Sequence, residues 1–324
     1  MVRIAKELLG KLSGVSDLID KTIGLYHKSE ADKAQIRDWQ NKTRDEILYT
    51  QGQGLAMQLR QLMPAIRHIR QAEFKVFSQF GEDGIIQYLL NTIPDLPQRF
   101  IEFGVESYIE SNTRFLLMHN NWEGLIIDGS DDNLNLVRQS DLHWRHTLHA
   151  LTAFITKENI NDLFRSRGFE GPVGLLSVDI DGNDYWVWEA IQVVQPVIVV
   201  AEYNSLFGPD RAISVPYQAD FQRSKAHFSH LYFGASLPAL THLAQKKGYE
   251  LVGVNSTGSN AFFVLKSHLN GLPTYSAKEA FSICLCREER DPSGKILFTS
   301  YEERKKTIEG LPVINVITGE KEVV

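Results

Sequence analysis

The chain has 324 residues, and at ~150 residues per domain that length fits one large domain with an appendage. Apolar residues make up 43%, charged residues 23% and aromatics 10%, which excludes a mostly disordered, collagen-like or disulfide-scaffold chain. With 34 basic against 40 acidic side chains the net charge is −6, an argument against a nucleic-acid footprint built on a basic face.

Residues 1–73 contain one proline, Pro64, and almost no strand-like alternation, so they read as a helical extension. Ile4, Leu8, Leu12, Val15, Ile19, Ile23 and Tyr26 recur with an eleven-residue period that keeps one nearly straight apolar stripe. A second stripe, Leu55, Leu59, Leu62, Ile66 and Ile69, follows a polar stretch around Lys28 to Arg44. A helical hairpin or short coiled coil satisfies both stripes. Its expected role is docking, or pairing of subunits into a homo-oligomer. Contact with an anionic membrane surface is the alternative, because Lys6, Lys11 and Lys21 flank the first stripe. No run reaches the ~18 apolar residues of a membrane span, and MVRIAKELLGKLSG lacks the pattern of a secretory leader. The two cysteines, Cys284 and Cys286, stand two apart on an expected strand, where a bridge would be strained. A reducing, cytoplasmic setting is expected.

From Phe74 to the C-terminus, short β-branched runs alternate with helical stretches, the mark of an α/β domain. Seven strands are predicted: Phe100 to Val105, Gly124 to Asp128, Thr147 to Thr152, Gly174 to Ile180, Val197 to Tyr203, Glu250 to Asn255 and Asn260 to Leu265. Helices are predicted at Thr113 to His119, Asp132 to Gln139, Lys157 to Arg165 and Asp184 to Val193, so the first five strands are expected to be parallel. Only Ser256 to Ser259 separate the last two, which therefore form an antiparallel hairpin. By fold-level analogy this is the Rossmann-like fold of class I methyltransferases, with a mostly parallel seven-stranded sheet. Ligands then bind outside the carboxyl ends of the strands, where the order reverses.

Chemistry is accordingly sought at those ends. The first strand closes with Glu102 and Gly104, and Ser111, Asn112 and Thr113 lead into a helix whose N-terminus offers free N–H groups to an anionic group. Asp128 ends the second strand 24 positions after Gly104, where nucleotide folds hold ribose hydroxyls. Asp179 and Asp181 end the fourth strand on one face, and Glu202 and Asn204 do the same on the fifth. These four are expected to converge on one hard cation such as Mg²⁺ or Mn²⁺; the alternative is that Asp184 caps the next helix while the aspartates accept backbone hydrogen bonds. His227 and His230 follow the fifth strand as candidate general bases or as a helix packing face. His143, His146 and His149 straddle a loop and the third strand and read as surface residues. Tyr185, Trp186 and Trp188 read as core packing.

The blocks SQFGEDGIIQYLL, FIEFGVESYIESNTRFLL, NWEGLIIDGS, LLSVDIDGNDYWVW, EYNSLFGPD and YFGASLPALTHLAQKKGYELVGVNSTGSNAFFV resemble the FkbM-type methyltransferase family, in a subgroup found in bacterial glycan and polysaccharide clusters. The likeness spans about residues 78–264. It implies an S-adenosylmethionine site in which Gly104 abuts the methionine moiety and Asp128 holds the ribose, and O-methylation of a sugar or glycan hydroxyl. One departure is EFGVESYIES, with a single glycine where the family has several. The expected cofactor-binding set is Glu102, Gly104, Asn112, Thr113, Asp128, Gly129, Ser130 and Asp179. The expected metal set is Asp179, Asp181, Glu202 and Asn204, and the expected catalytic set is Asp181, Glu202 and His230. Two other readings stand beside this one. The Asp179–Asp181 pair also matches the DxD of metal-dependent glycosyltransferases, and the thin glycine motif suits a catalytically degenerate binding or assembly module.

Overall fold

The computed structural model describes residues 32–33, 35–36, 39–286 and 289–324, so the stripe from Ile4 to Tyr26 lies outside the described residues. Two compact units are present, Met1–Gln51 and Gly52–Val324. Residues 39–62 are helical (α1) and include the boundary between the units. None of the described residues of the first unit is buried, and Trp39 and Ile47 are exposed.

The second unit is α/β. After α1 come α2 (Glu82–Thr92), β1 (Arg99–Phe103), α3 (Arg114–Asn120), β2 (Glu123–Asp128), α4 (Asp131–Gln139), α5 (Asp141–Arg145), β3 (Leu148–Thr152), α6 (Ile160–Arg165), β4 (Gly171–Val178), α7 (Asp184–Ala190) and β5 (Val194–Glu202). Then follow β6 (Ile213–Ser214), α8 (Arg223–Ala226), α9 (Leu237–Lys246), β7 (Tyr249–Val254), β8 (Asn260–Leu265), α10 (Ala277–Ala280), α11 (Tyr301–Thr307), β9 (Pro312–Asn315) and β10 (Lys321–Val323). The main sheet runs β3-β2-β1-β4-β5-β8-β7. Its first five strands pair in parallel, and β8 lies antiparallel between β5 and β7. This is the class I methyltransferase Rossmann-like fold, with the order reversing between β1 and β4.

Apolar residues on both faces of each strand explain why the sheet is covered on both sides. Ile101, Leu125, Leu176 and Val199 point to one layer with Trp188 and Phe263. Phe100, Ile126, Leu175 and Ile198 point to the other, where Leu59, Ile66, Ile69, Ile85 and Leu89 meet them. Residues 52–73, grouped by sequence with the extension, thus contribute to the core of the α/β unit. Their buried face is Ala56, Leu59, Ile66 and Ile69, whereas Leu55 and Leu62 of the expected stripe are exposed.

All seven strands and four helices occur within a few residues of their expected bounds. Other features differ. A second sheet, β10-β9-β6, is built from short segments with too few residues to show alternation. Cys284 and Cys286 lie outside any strand and form no disulfide, and the Cys286 amide donates to Cys284 Sγ. His227 and His230 follow the four-residue α8, so no helix face includes them. Tyr185 and Trp188 are buried as expected. Among the described residues no helix is long and apolar enough to cross a membrane.

Candidate functional site

The carboxyl ends of β1 to β4 open onto a cavity of about 220 Å³ lined by Gly104, Glu106, Asp128, Gly129, Phe154, Asp179, Asp181, Asn183 and Phe221 among others. Gly104 has φ +77°, and a Cβ there would stand 1.6 Å from the Asp179 carbonyl oxygen. The single glycine of the loop is therefore required by the close approach of β1 to β4.

Glu102 is 5% exposed and faces inward. Its carboxylate accepts hydrogen bonds from Ser111 Oγ, the Asn112 and Thr113 amides, and Thr113 Oγ. Burial pushes its carboxyl up, and these four donors oppose the rise. This corrects an expectation: the N–H groups of Asn112 and Thr113 are not free for a ligand, because Glu102 takes them. Asn112 Nδ2 donates to Ser177 Oγ, and Thr113 Oγ meets the Tyr108 hydroxyl. From outside, the Ser111 amide donates to the Phe77 carbonyl at 2.9 Å. Phe77 itself sits in a loop whose three amides, Val76 to Ser78, converge on Asp83 Oδ2. The SQFGED block thus supports the loop after β1.

Asp128 is fixed by two backbone donors, the Glu106 amide on Oδ2 and the Ser130 amide on Oδ1, both at 2.8 Å. Each oxygen keeps one lone pair. Gly129 lines the cavity, and a Cβ there would come 3.7 Å from the Phe154 ring, which is 49% exposed. Ser130 instead caps α4, accepting from the Asn133 amide.

Carboxylate oxygens of Asp179, Asp181 and Glu202 lie within 4.8 Å of one another. Burial first, then the neighbouring aspartates, pushes Asp179 and Glu202 well above the usual carboxylate range. Glu202 Oε2 is buried and accepts no hydrogen bond, a costly state for a carboxylate unless a ligand completes it. Asp181, at φ +54°, pairs with Arg223 Nη1 at 2.6 Å. The backbone around it is fixed by Asp184, whose carboxylate accepts the Ile180 and Gly182 amides and is pushed up to about 6 by burial. Asp184 therefore shapes the turn before α7.

Asn204 does not join the carboxylates. Its Oδ1 accepts the Leu206 amide and its Nδ2 donates to the carbonyls of Leu231 and Phe233, a role set by the tight turn after β5. His230 enters through its backbone, where its carbonyl accepts Arg223 Nε. His227 Nδ1 meets Ser229 Oγ at 2.7 Å. His146 and His149 meet Asn121 and Glu123. Sequence reasoning missed Arg223, Phe221, Phe154 and Asn183. The first two reach the site from a segment far along the chain, and no motif spacing signals them.

The sequence matches no family model and no curated protein. Among solved structures, the chain is similar to the N-terminal domain of EvdMO1 with SAH bound, at 13% identity over 58% of this chain and 80% of that one, with a TM-score of 0.38. It is also similar to the CurJ carbon methyltransferase, at 11% identity over 60% of this chain and 56% of that one, TM-score 0.38. A third likeness is to PKMT2 from Rickettsia typhi in complex with AdoHcy, at 9% identity over 56% of this chain and 52% of that one, TM-score 0.37. At this level the likenesses carry no argument about activity.

Proposed function

We propose that the protein is an S-adenosylmethionine-dependent methyltransferase that acts on a hydroxyl of a sugar or glycan acceptor. The observation that carries the reading is the cavity at the reversal point of the sheet, with Asp128 at the end of β2 and Gly104 at the end of β1. Asp128, held by two amides, keeps acceptor capacity for the two ribose hydroxyls. Phe154 and Gly129 provide a flat apolar slot for a purine. Bound adenosylmethionine supplies an electrophilic methyl group.

The remaining residues act on the acceptor. Asp179, Asp181 and Glu202 form a set of hard oxygen donors of the kind that holds Mg²⁺, and the orphaned Glu202 Oε2 fits that role. A cation held there would lower the pKa of an acceptor hydroxyl. Without a cation, the ionised carboxylate of Asp179 or Glu202 takes the hydroxyl proton as the C–O bond forms and the C–S bond breaks. Alignment of donor and acceptor provides much of the barrier reduction, about 7–11 kcal/mol in favourable cases.

Calorimetric titration of S-adenosylmethionine, and separately of UDP-glucose with Mg²⁺, tests the reading. Micromolar binding of adenosylmethionine, lost in Asp128→Ala, is expected. Binding of the nucleotide sugar alone would transfer the protein to the glycosyltransferases, and silence with both would leave a degenerate module. With an acceptor in hand, Asp181→Ala is expected to abolish transfer while adenosylmethionine still binds.

A further inference from the structure

The segment from Pro216 to Arg223 contributes Phe221 to the cavity lining and forms a strap fastened at both ends. At its start the Tyr217 hydroxyl donates to the Glu158 carboxylate, and Lys157 Nζ lies 4.2 Å from the Tyr217 ring centroid. In its middle the Gln218 carbonyl accepts Asn183 Nδ2 at 2.7 Å, and Phe221 turns inward to line the cavity against Gly182. Gln218, Ala219 and Asp220 between these points are exposed. At its end Arg223 stacks 3.9 Å from the Phe233 ring centroid, donates through Nε to the His230 carbonyl, and reaches Asp181 through Nη1.

The cavity, about 220 Å³, is small beside the roughly 300–1,000 Å³ of ordinary ligand sites, and Phe221 of the strap lines it, so release of the strap would enlarge it. The fastening at Asp181 is also an electrostatic statement. Asp181 is one of three carboxylates whose oxygens lie within 4.8 Å of each other, and its direct positive partner is a residue of the strap. A cation entering the cluster claims the same oxygens and repels the guanidinium.

We propose that Arg223 is a built-in surrogate for the divalent cation and the bolt of the strap: cation and guanidinium compete for Asp181, so loading the cluster releases residues 216–223. This rests on the cation reading above and adds the control of access to the same site. Arg223 is a positioning residue in this scheme, acting through Asp181 and the strap.

The test uses the full-length protein with Mn²⁺ as probe, in two readouts. Calorimetry is expected to show Mn²⁺ binding about tenfold tighter in Arg223→Met than in the wild type, since one positive charge leaves the cluster. Arg223→Lys, which keeps the charge, is expected to stay near the wild type. Hydrogen exchange over residues 216–223 is expected to quicken when Mn²⁺ is added to the wild type. In Arg223→Met it should already be fast and indifferent to the metal. Tyr217→Phe, which loosens the other end without altering the cluster's charge, is expected to quicken exchange and, because strap release and cation binding favour one another, to tighten Mn²⁺ binding by less than Arg223→Met does. If Mn²⁺ binds the wild type and Arg223→Met equally and the strap's exchange ignores it, the inference is overturned and the cation reading survives. If no Mn²⁺ binds the wild type at all, both fall.

Discussion

Two residues show how little freedom the strand ends have. Gly104 combines a left-handed backbone with a Cβ position 1.6 Å from a carbonyl oxygen of the neighbouring strand. We predict that Gly104→Ala separates the ends of β1 and β4, destabilising the fold by about 1–3 kcal/mol and abolishing adenosylmethionine binding, as urea denaturation and calorimetry would report. A variant that binds as the wild type would remove Gly104 from the site. Asp184 makes a pH prediction. Burial raises its folded-state pKa from 3.8 to about 6, so between these values the folded state holds the proton more tightly than the unfolded chain. Its contribution to stability is fully present below about pH 4 and is lost as pH rises to about 6, by about 3 kcal/mol at roughly 1.4 kcal/mol per pKa unit. The destabilisation caused by Asp184→Asn should accordingly be largest at pH 4 and shrink by pH 7. Urea midpoints measured at both pH values check it, and a destabilisation that grows with pH would contradict the assignment.

At the scale of elements, the sequence revealed those whose patterning is set locally and missed those set by partners far along the chain. The seven strands were legible because β-branched runs such as Val197 to Val200 are apolar on both faces, and the closing hairpin because Ser256–Ser259 is too short for a crossover. Asp128, Asp179 and Glu202 were legible because they stand at or next to strand ends, whereas Asp181 lies beyond β4 at φ +54° and reaches the cluster through the turn that Asp184 fixes, not through strand alternation. Asn112 and Thr113 were misread because a free helix N-terminus and one already taken by Glu102 have the same sequence. Arg223 was invisible because its meaning depends on Asp181, 42 positions earlier. The stripe Leu55, Leu59, Leu62 shows the limit of periodicity, since steps of three and four fit more than one face. Leu59 is 5% exposed and Leu62 is 60% exposed. We predict that Leu59→Ala costs about 2–5 kcal/mol and Leu62→Ala less than about 0.5 kcal/mol. Thermal unfolding of the pair distinguishes this buried face from the one expected by sequence, in which the two substitutions cost alike.

For the whole molecule, the division at Gly52 separates what the α/β unit needs from what the rest of the chain adds. All residues of both core layers and of the cavity belong to Gly52–Val324, and none of the described residues before Gly52 is buried. Ile36, Trp39 and Ile47 are each more than half exposed, and apolar side chains left in water on a helix are a reason for subunits to pair. Deletion of residues 1–51 is therefore predicted to leave a folded protein whose Tm lies within about 4 °C of the full chain, the shift that about 1 kcal/mol produces at this size. Adenosylmethionine affinity should be unchanged, because the residues assigned to it all remain. The mass measured by light scattering should fall from that of an oligomer to that of a single chain. Equal masses before and after deletion would end the assignment of subunit pairing to the N-terminal helices. A truncated chain that fails to fold would instead show that the first 51 residues stabilise the α/β unit directly.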